Sequence, residues 1–184
     1  MFDYDKFAEE FKEIKKISGT TNIKTTIFNM KTFCESCGIN FYFRPSIPNS
    51  RVKAVAIKDK EDRIFIFVSD LFKRIENLWI SFVHECIHIF NQDFSSNLFL
   101  DDMNVTNYEN HIDEQAMQFF VGDFFASKTP LKPSEIVHFS KQEGVPIGIT
   151  AEIYRYNMKT YNDNGINAYI HYYKLEDLSW NPPF

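Results

Sequence analysis

Residues 77–93 read NLWISFVHECIHIFNQD. Two histidines and a glutamate stand in a run otherwise dominated by large apolar side chains, where an unpaired charge is expensive to desolvate. On a helix, residues four apart differ by about 40° in rotation and lie roughly 6 Å apart along the axis, so His84 and His88 project side by side. Two neutral imidazoles so placed can each offer one nitrogen to a zinc ion at roughly 2.0–2.1 Å, and the helix itself fixes the bite. Glu85 follows the first histidine and can reach water in the open coordination position, as general base and then as proton donor to a leaving amine. The plainer alternative is a helix with two satisfied core histidines. With five histidines in 184 residues, an H-E-x-x-H spacing on a buried helix after strands favours the metal site.

The pattern around this segment sets the fold class. Residues 4–16 carry Phe7, Phe11 and Ile14 at helical spacing, and a second helix is expected from Thr25 to Cys37 with Gly38 as its stop. INFYFRP, from residue 39, reads as a strand ended by Pro45. Two further strands are expected around Val52–Ile57 and Ile64–Val68, joined by the charged turn KDKED. Helical patterning then runs through LFKRIENLWISFVHECIHIFNQ, residues 71–92, and residues 78–90 are apolar on nearly all sides. A polar connector, DFSSNLFLDDMNVTNYEN, leads to a helix over Asn110–Ala126, with Ala116, Phe119, Phe120 and Phe124 apolar. Helices are expected in SEIVHFSKQEG and ITAEIYRYNMKTYN, and a final short strand in the tail from Ala168. The expectation is a single α+β domain over residues 1–184.

Composition narrows the function classes. Hydrophobic residues make up 44% and charged residues 24%, ordinary globular values. The 20 phenylalanines indicate a large aromatic core. The N-terminal stripe of Phe2, Tyr4, Phe7 and Phe11 belongs to that core rather than to a partner helix. A net charge of −5 gives no general attraction to phosphates or anionic lipid, so neither a nucleic acid nor a membrane is an expected partner. No apolar stretch approaches the roughly 20 residues of a membrane span. The start, MFDYDKFAEEFKEIKK, is too acidic and amphipathic for a secretory signal, and the expected compartment is the cytoplasm. Three cysteines make no disulfide framework. CESC, residues 34–37, has C-x-x-C spacing but no second pair at finger spacing, so a metal or redox role is not expected of it. Residues 134–157 have the helix–turn–helix outline of a DNA reader, yet the second helix offers few basic or amide side chains before Arg155.

A third metal ligand has to come from elsewhere, and ENHIDEQAMQFF supplies Glu109, His111, Asp113 and Glu114. Each suits zinc chemically, and spacing alone does not choose among them. A stabiliser for the developing oxyanion is also required. Tyr108, His111, Tyr154, Arg155 and His171 are eligible by chemistry, and none is singled out.

The order GINFYFRP, IFIFVSDLF, ENLWISFVHECIHIF, FLDD, DEQAMQFF and IVHFSKQEGVPIGI resembles the ImmA/IrrE family of metallopeptidase-like domains, over about residues 30–157. It is most similar to the version that follows a helix-turn-helix in HigA-like antidote proteins. The resemblance implies a zincin-like fold, with a small twisted sheet packed on the H-E-x-x-H helix and several further helices. It also implies one Zn²⁺ held by His84, His88 and a carboxylate of the second helix. Aligning Ala116 and Phe119 with the family's E-x-x-A-N/D-x-F-A pattern puts Asp113 at the ligand position, with Glu114 as its neighbour. Met117 and Phe120 depart from that pattern. By the same resemblance, the strand near Ile64–Val68 is expected at the sheet edge, where an extended substrate adds by backbone hydrogen bonds. The implied activity is cleavage of a regulatory protein, such as a helix-turn-helix repressor or antitoxin linked to a mobile element, a phage or a stress response. The family's N-terminal DNA-binding module has no counterpart in this sequence, so the regulator is expected to be separately encoded. The alternative is a non-catalytic module of the same fold that docks a partner protein.

Overall fold

In the computed structural model, which describes residues 2–94, 103–124 and 130–178, the histidine-bearing segment lies in one long helix against a three-stranded sheet. The chain begins with helices α1 (Tyr4–Phe11), α2 (Ile14–Ile17) and α3 (Ile23–Ser36). It continues through strands β1 (Ile39–Arg44), β2 (Ala54–Lys58) and β3 (Ile64–Ser69) into α4 (Ile75–Asn91). Helices α5 (Met103–Val121), α6 (Pro133–Glu143), α7 (Ile147–Met158) and α8 (Asn164–Asn167) follow, with a 3₁₀ turn at Leu175–Leu178. The fold is mixed α and β. The one long helix expected over residues 4–16 is divided at Lys12–Glu13 into α1 and α2.

The strands alternate as a half-buried sheet should. β1 runs parallel to β3 with Ile39 opposite Ile64, and β2 runs antiparallel to it with Ala54 opposite Val68. Ile39, Phe43, Ala56, Ile64, Ile66 and Val68 thereby share one buried face. The strand order is β1-β3-β2, which corrects one expectation: β3 is the central strand and not the edge. It is the most apolar of the three because both of its neighbours are strands. The edge beside α4 is β2.

α4 buries Leu78, Trp79, Phe82, Val83, Cys86, Ile87 and Ile89. Phe82 meets Trp79, Phe33 and Phe41 edge-on at centroid distances of 5.9, 5.6 and 6.1 Å. Phe7 is wholly buried against Phe33 and Phe90, so the N-terminal stripe joins the core. α4 starts one turn later than its periodicity suggests. Lys73 takes a left-handed φ of 50°, and Arg74 forms a β-bridge with Tyr172. Ile75 N–H donates to the His171 carbonyl at 3.0 Å, and Tyr173 N–H to the Lys73 carbonyl at 3.1 Å. This bridge is the only strand-like pairing in the described tail. Glu76, in the first turn of α4, is 2% exposed and accepts from both the backbone N–H and Nδ1 of His171, the latter at 2.6 Å. Burial pushes its carboxyl up from the ordinary range, against the pull of His171.

α5 begins at Met103, about two turns earlier than expected, and its described continuation ends at Val121, where Gly122 turns the chain with φ 55°. Ala126, the expected end, lies outside the described residues. α7 has eight successive buried residues from Gly148 to Arg155, so it offers no free face over that length for reading a groove in DNA. Cys34, Cys37 and Cys86 are free and buried, and burial pushes all three thiols up. No described helix is long and apolar enough to cross a membrane.

Candidate metal centre

His84 and His88 face the same way from successive turns of α4, with Nε2 atoms 3.0 Å apart. α5 brings a carboxylate to the same point: Glu109 Oε2 lies 3.0 Å from His84 Nε2 and 3.5 Å from His88 Nε2. Donors around a tetrahedral ion with bonds of roughly 2.0–2.1 Å stand about 3.3 Å from one another. The three atoms match that spacing, so the donor set fits a small divalent cation. Among the described residues this is the one group of three or more His, Cys, Asp or Glu side chains whose ligand atoms converge so closely. His84, His88 and Glu109 could hold a metal ion.

The outer nitrogens have partners as well. His84 Nδ1 is 2.8 Å from Asp113 Oδ1, an arrangement that leaves Nε2 unprotonated and aimed at a metal once a cation displaces the shared proton. His88 Nδ1 lies 3.3 Å from Asp93 Oδ2, out of line for a hydrogen bond. Asp93 is delivered by the end of α4: Gln92 adopts a left-handed φ of 56°, and Asp93 N–H returns to the His88 carbonyl at 3.1 Å. Tyr108 O–H donates to Asp93 Oδ2 and accepts from Asn91 Nδ2.

Burial disfavours an imidazolium at His84, but hydrogen bonds to Asp113 and Glu109 overcome it and raise the group to about 9. His88 is raised too, with burial opposed by Glu109 and Glu85. The two histidines pull Glu109 down to about 2. Asp113 is lowered, with burial opposed by its bond to His84 and by the charge of Lys53. The cluster thus holds a proton where a cation fits. Glu85 is 5% exposed between α4 and β2. Burial raises its carboxyl to about 7, against the pull of His84, His88 and a hydrogen bond from Ala56 N–H. That value suits a group that takes a proton and gives it back near neutral pH. A bound cation would draw it lower.

The residues singled out by sequence are distributed as follows. His84, Glu85 and His88 stand together on α4. The third position differs from the expected one: Asp113 meets the outer nitrogen of His84, Glu114 is exposed, and the carboxylate at both Nε2 atoms is that of Glu109. The reason is helical phase. Glu109 and Asp113 are themselves four apart, so one takes the inner nitrogen and the other the outer nitrogen of the same imidazole. That spacing was readable in the sequence; Asp93 and its turn had no comparable signal. Of the oxyanion candidates, only Tyr108 adjoins the cluster, its ring centroid 6.2 Å from that of His88. His111 is exposed beside Gln115, Tyr154 is bonded to the Leu131 backbone, Arg155 to Glu152 and His171 to Glu76.

Compared with protein-family profiles, with curated proteins and with solved structures, the chain finds no match.

Proposed function

We propose that the chain is a zinc-dependent endopeptidase. The observation that carries this reading is the convergence of His84, His88 and Glu109 donor atoms beside a buried, proton-accepting Glu85. Zinc, when bound, would supply Lewis-acid polarisation of water and of the scissile carbonyl. His84 and His88 would hold it through Nε2 and Glu109 through Oε2. Asp113 fixes the tautomer and angle of His84. Glu85 takes a proton from water as its oxygen bonds to the peptide carbon. The same proton goes to the amine as the C–N bond breaks. With β3 central, the role of aligning an extended substrate passes to β2, the edge strand whose Ala56 N–H meets Glu85. The likeness of residues 30–157 to the ImmA/IrrE domains supplies the zincin fold assignment. It also supplies the substrate class: a transcriptional regulator or antitoxin.

One observation favours a second reading. The histidines and carboxylates also satisfy one another with a shared proton, as a non-catalytic module that docks a partner protein would require. Glu85→Gln separates the two, because it preserves shape and removes the base. In cells expressing the parent or the variant, new protein N-termini are expected with the parent alone, while both proteins purify with one zinc. Zinc-loaded proteins with identical N-terminal profiles would establish the docking module instead.

A further inference from the structure

The three-stranded sheet has a second face, turned away from the metal centre. α4 covers the side that carries Ile39, Phe43, Ala56, Ile64, Ile66 and Val68, and Phe41 meets Phe82 of α4 on the same side. The opposite side carries the alternate residues: Tyr42, Phe67 and Val55 in one cross-strand row, Phe65 and Ile57 in the next. All five are half-buried. A sheet face left to solvent is ordinarily polar, whereas this one is an apolar strip across three strands. Its rings are nearly parallel. Tyr42 and Phe67 lie 5.0 Å apart between centroids at 14°, and Phe65 stands 6.4 Å from each, at 18° and 17°. Among the described residues the three rings have only one another as ring neighbours. A guanidinium closes the row at either end, Arg44 over Tyr42 at 5.4 Å and Arg63 over Phe65 at 5.8 Å.

We propose that this outer face is a platform for single-stranded nucleic acid, on which Tyr42, Phe65 and Phe67 stack on bases while Arg44 and Arg51 contact phosphates. The ring pattern suits that ligand. Phe65 and Phe67 stand two apart on the central strand, after Arg63, and Tyr42 lies across from Phe67 on the neighbouring strand. Sheets that read single strands place their aromatics in the same way: at alternate positions of one strand, after a basic residue, with a further ring on another strand. Every base has a π-face, so such a row takes a single strand without choosing its sequence. A duplex keeps its bases paired and stacked on one another, out of reach of the rings.

The charge around the face suits it as well. The net charge of −5 carries no general attraction to phosphates, but it is unevenly spread. Residues 39–69, which build the sheet, hold six basic side chains against three acidic ones. The three acids, Asp59, Glu61 and Asp62, all lie in the turn between β2 and β3, where they pair with Arg63 and Lys58. Arg44 and Arg51 stand at the other end of the strands, both exposed. Asp70, the acid that follows β3 there, is 2% exposed and accepts from Ser46 N–H, so it is turned inward. A chain of phosphates laid across the rings thus meets cations at the end where no exposed acid opposes them within residues 39–58.

The test is fluorescence anisotropy with the full chain, in chelator so that the metal centre contributes nothing. The probes are labelled oligo-uridine, oligo-deoxyuridine and a duplex of the same length, at about 50 and 200 mM salt. Saturable binding of single strands is expected, at least tenfold tighter than of the duplex and weaker at the higher salt. Tyr42→Leu and Phe67→Leu keep apolar bulk and remove a π-face, and each is expected to weaken binding about tenfold. Arg44→Gln removes one phosphate contact and is expected to reduce the slope of log affinity against log salt by about 0.7. Should Phe67→Leu on the central strand fold poorly, Tyr42→Leu on the edge strand β1 decides. Within a supporting result, tighter binding of the ribose oligomer assigns RNA through its 2′-hydroxyls, and equal or weaker binding assigns single strands of either sugar. No saturable binding, a duplex bound as tightly as the single strands, or well-folded leucine variants that bind like the parent would each overturn the proposal. So would a parent that elutes as a dimer and becomes a monomer on Tyr42→Leu, because the face would then belong to a second copy of the chain.

Discussion

Replacing the α5 carboxylates one at a time distinguishes a ligand from a support. Glu109 Oε2 is within 3.5 Å of both Nε2 atoms, whereas Asp113 Oδ1 touches the outer Nδ1 of His84 alone at 2.8 Å. Losing an outer partner of a metal-bound histidine costs about 10–100-fold in affinity, or about 1.4–2.7 kcal/mol. Asp113→Ala is therefore expected to weaken zinc by that factor while one ion still binds at saturation. Glu109→Ala removes a donor outright and is expected to cost more than a hundredfold, with loss of stoichiometric zinc after gel filtration. Glu114→Ala, on the exposed side of α5, is expected to stay within about twofold. Competition against a chromophoric chelator at pH 7.5 reads all three, with circular dichroism confirming that each variant is folded. The assignment fails if Asp113→Ala loses zinc while Glu109→Ala keeps it within tenfold of the parent.

The proton held by His84 makes zinc uptake pH-dependent. With that group at about 9 in the metal-free protein, only about 1% is neutral at pH 7, so binding is expected to release a proton and to tighten about tenfold per pH unit up to about pH 9. Calorimetry in buffers of different ionisation enthalpy measures the release, and none at pH 7 would contradict the cluster as described. Stability of the metal-free protein follows by linkage. His84 is raised in the fold, so its contribution is present below about 6.5 and lost as pH rises through about 9. Glu109 is lowered, so its contribution is present above about 4.5 and lost as pH falls toward about 2. Urea midpoints in chelator are thus expected to peak between these limits, and a midpoint climbing from pH 7 to 9 would refute the scheme. Gly148→Ala drives a Cβ into Glu76 Oε1 and puts it 2.9 Å from the Tyr169 carbonyl. A loss of about 1–3 kcal/mol is expected from chemical denaturation, and an unchanged midpoint would show that the carboxylate moves aside freely.

The α4 segment was legible because its signals agree: apolar on most faces, two imidazoles and a carboxylate at fixed helical offsets, and strands before it. The three strands were legible from alternation and from the turn at KDKED. Their order was not, since β3 owes its central place to long-range pairing that period-two patterning cannot express. The start of α5 was hidden for a related reason. NVTNYEN is polar and poor in helix formers, yet Tyr108 and Glu109 are drawn into the helix facing α4 by contacts with Asp93 and the histidines. Aligning Ala116 and Phe119 with the family pattern puts Asp113 at the ligand position. The imidazole has two nitrogens, and a sequence register cannot say which of them a carboxylate meets.

The pairing of residues 73–75 with residues 171–173 joins the first turn of the histidine helix to chain almost a hundred positions away. Glu76 is enclosed by it, and among the described residues its only side-chain donor is His171. Shortening the chain ahead of that residue would strand an anion in the interior at the root of α4, so a genetic fusion or affinity tag is best appended beyond the bridge rather than in place of it.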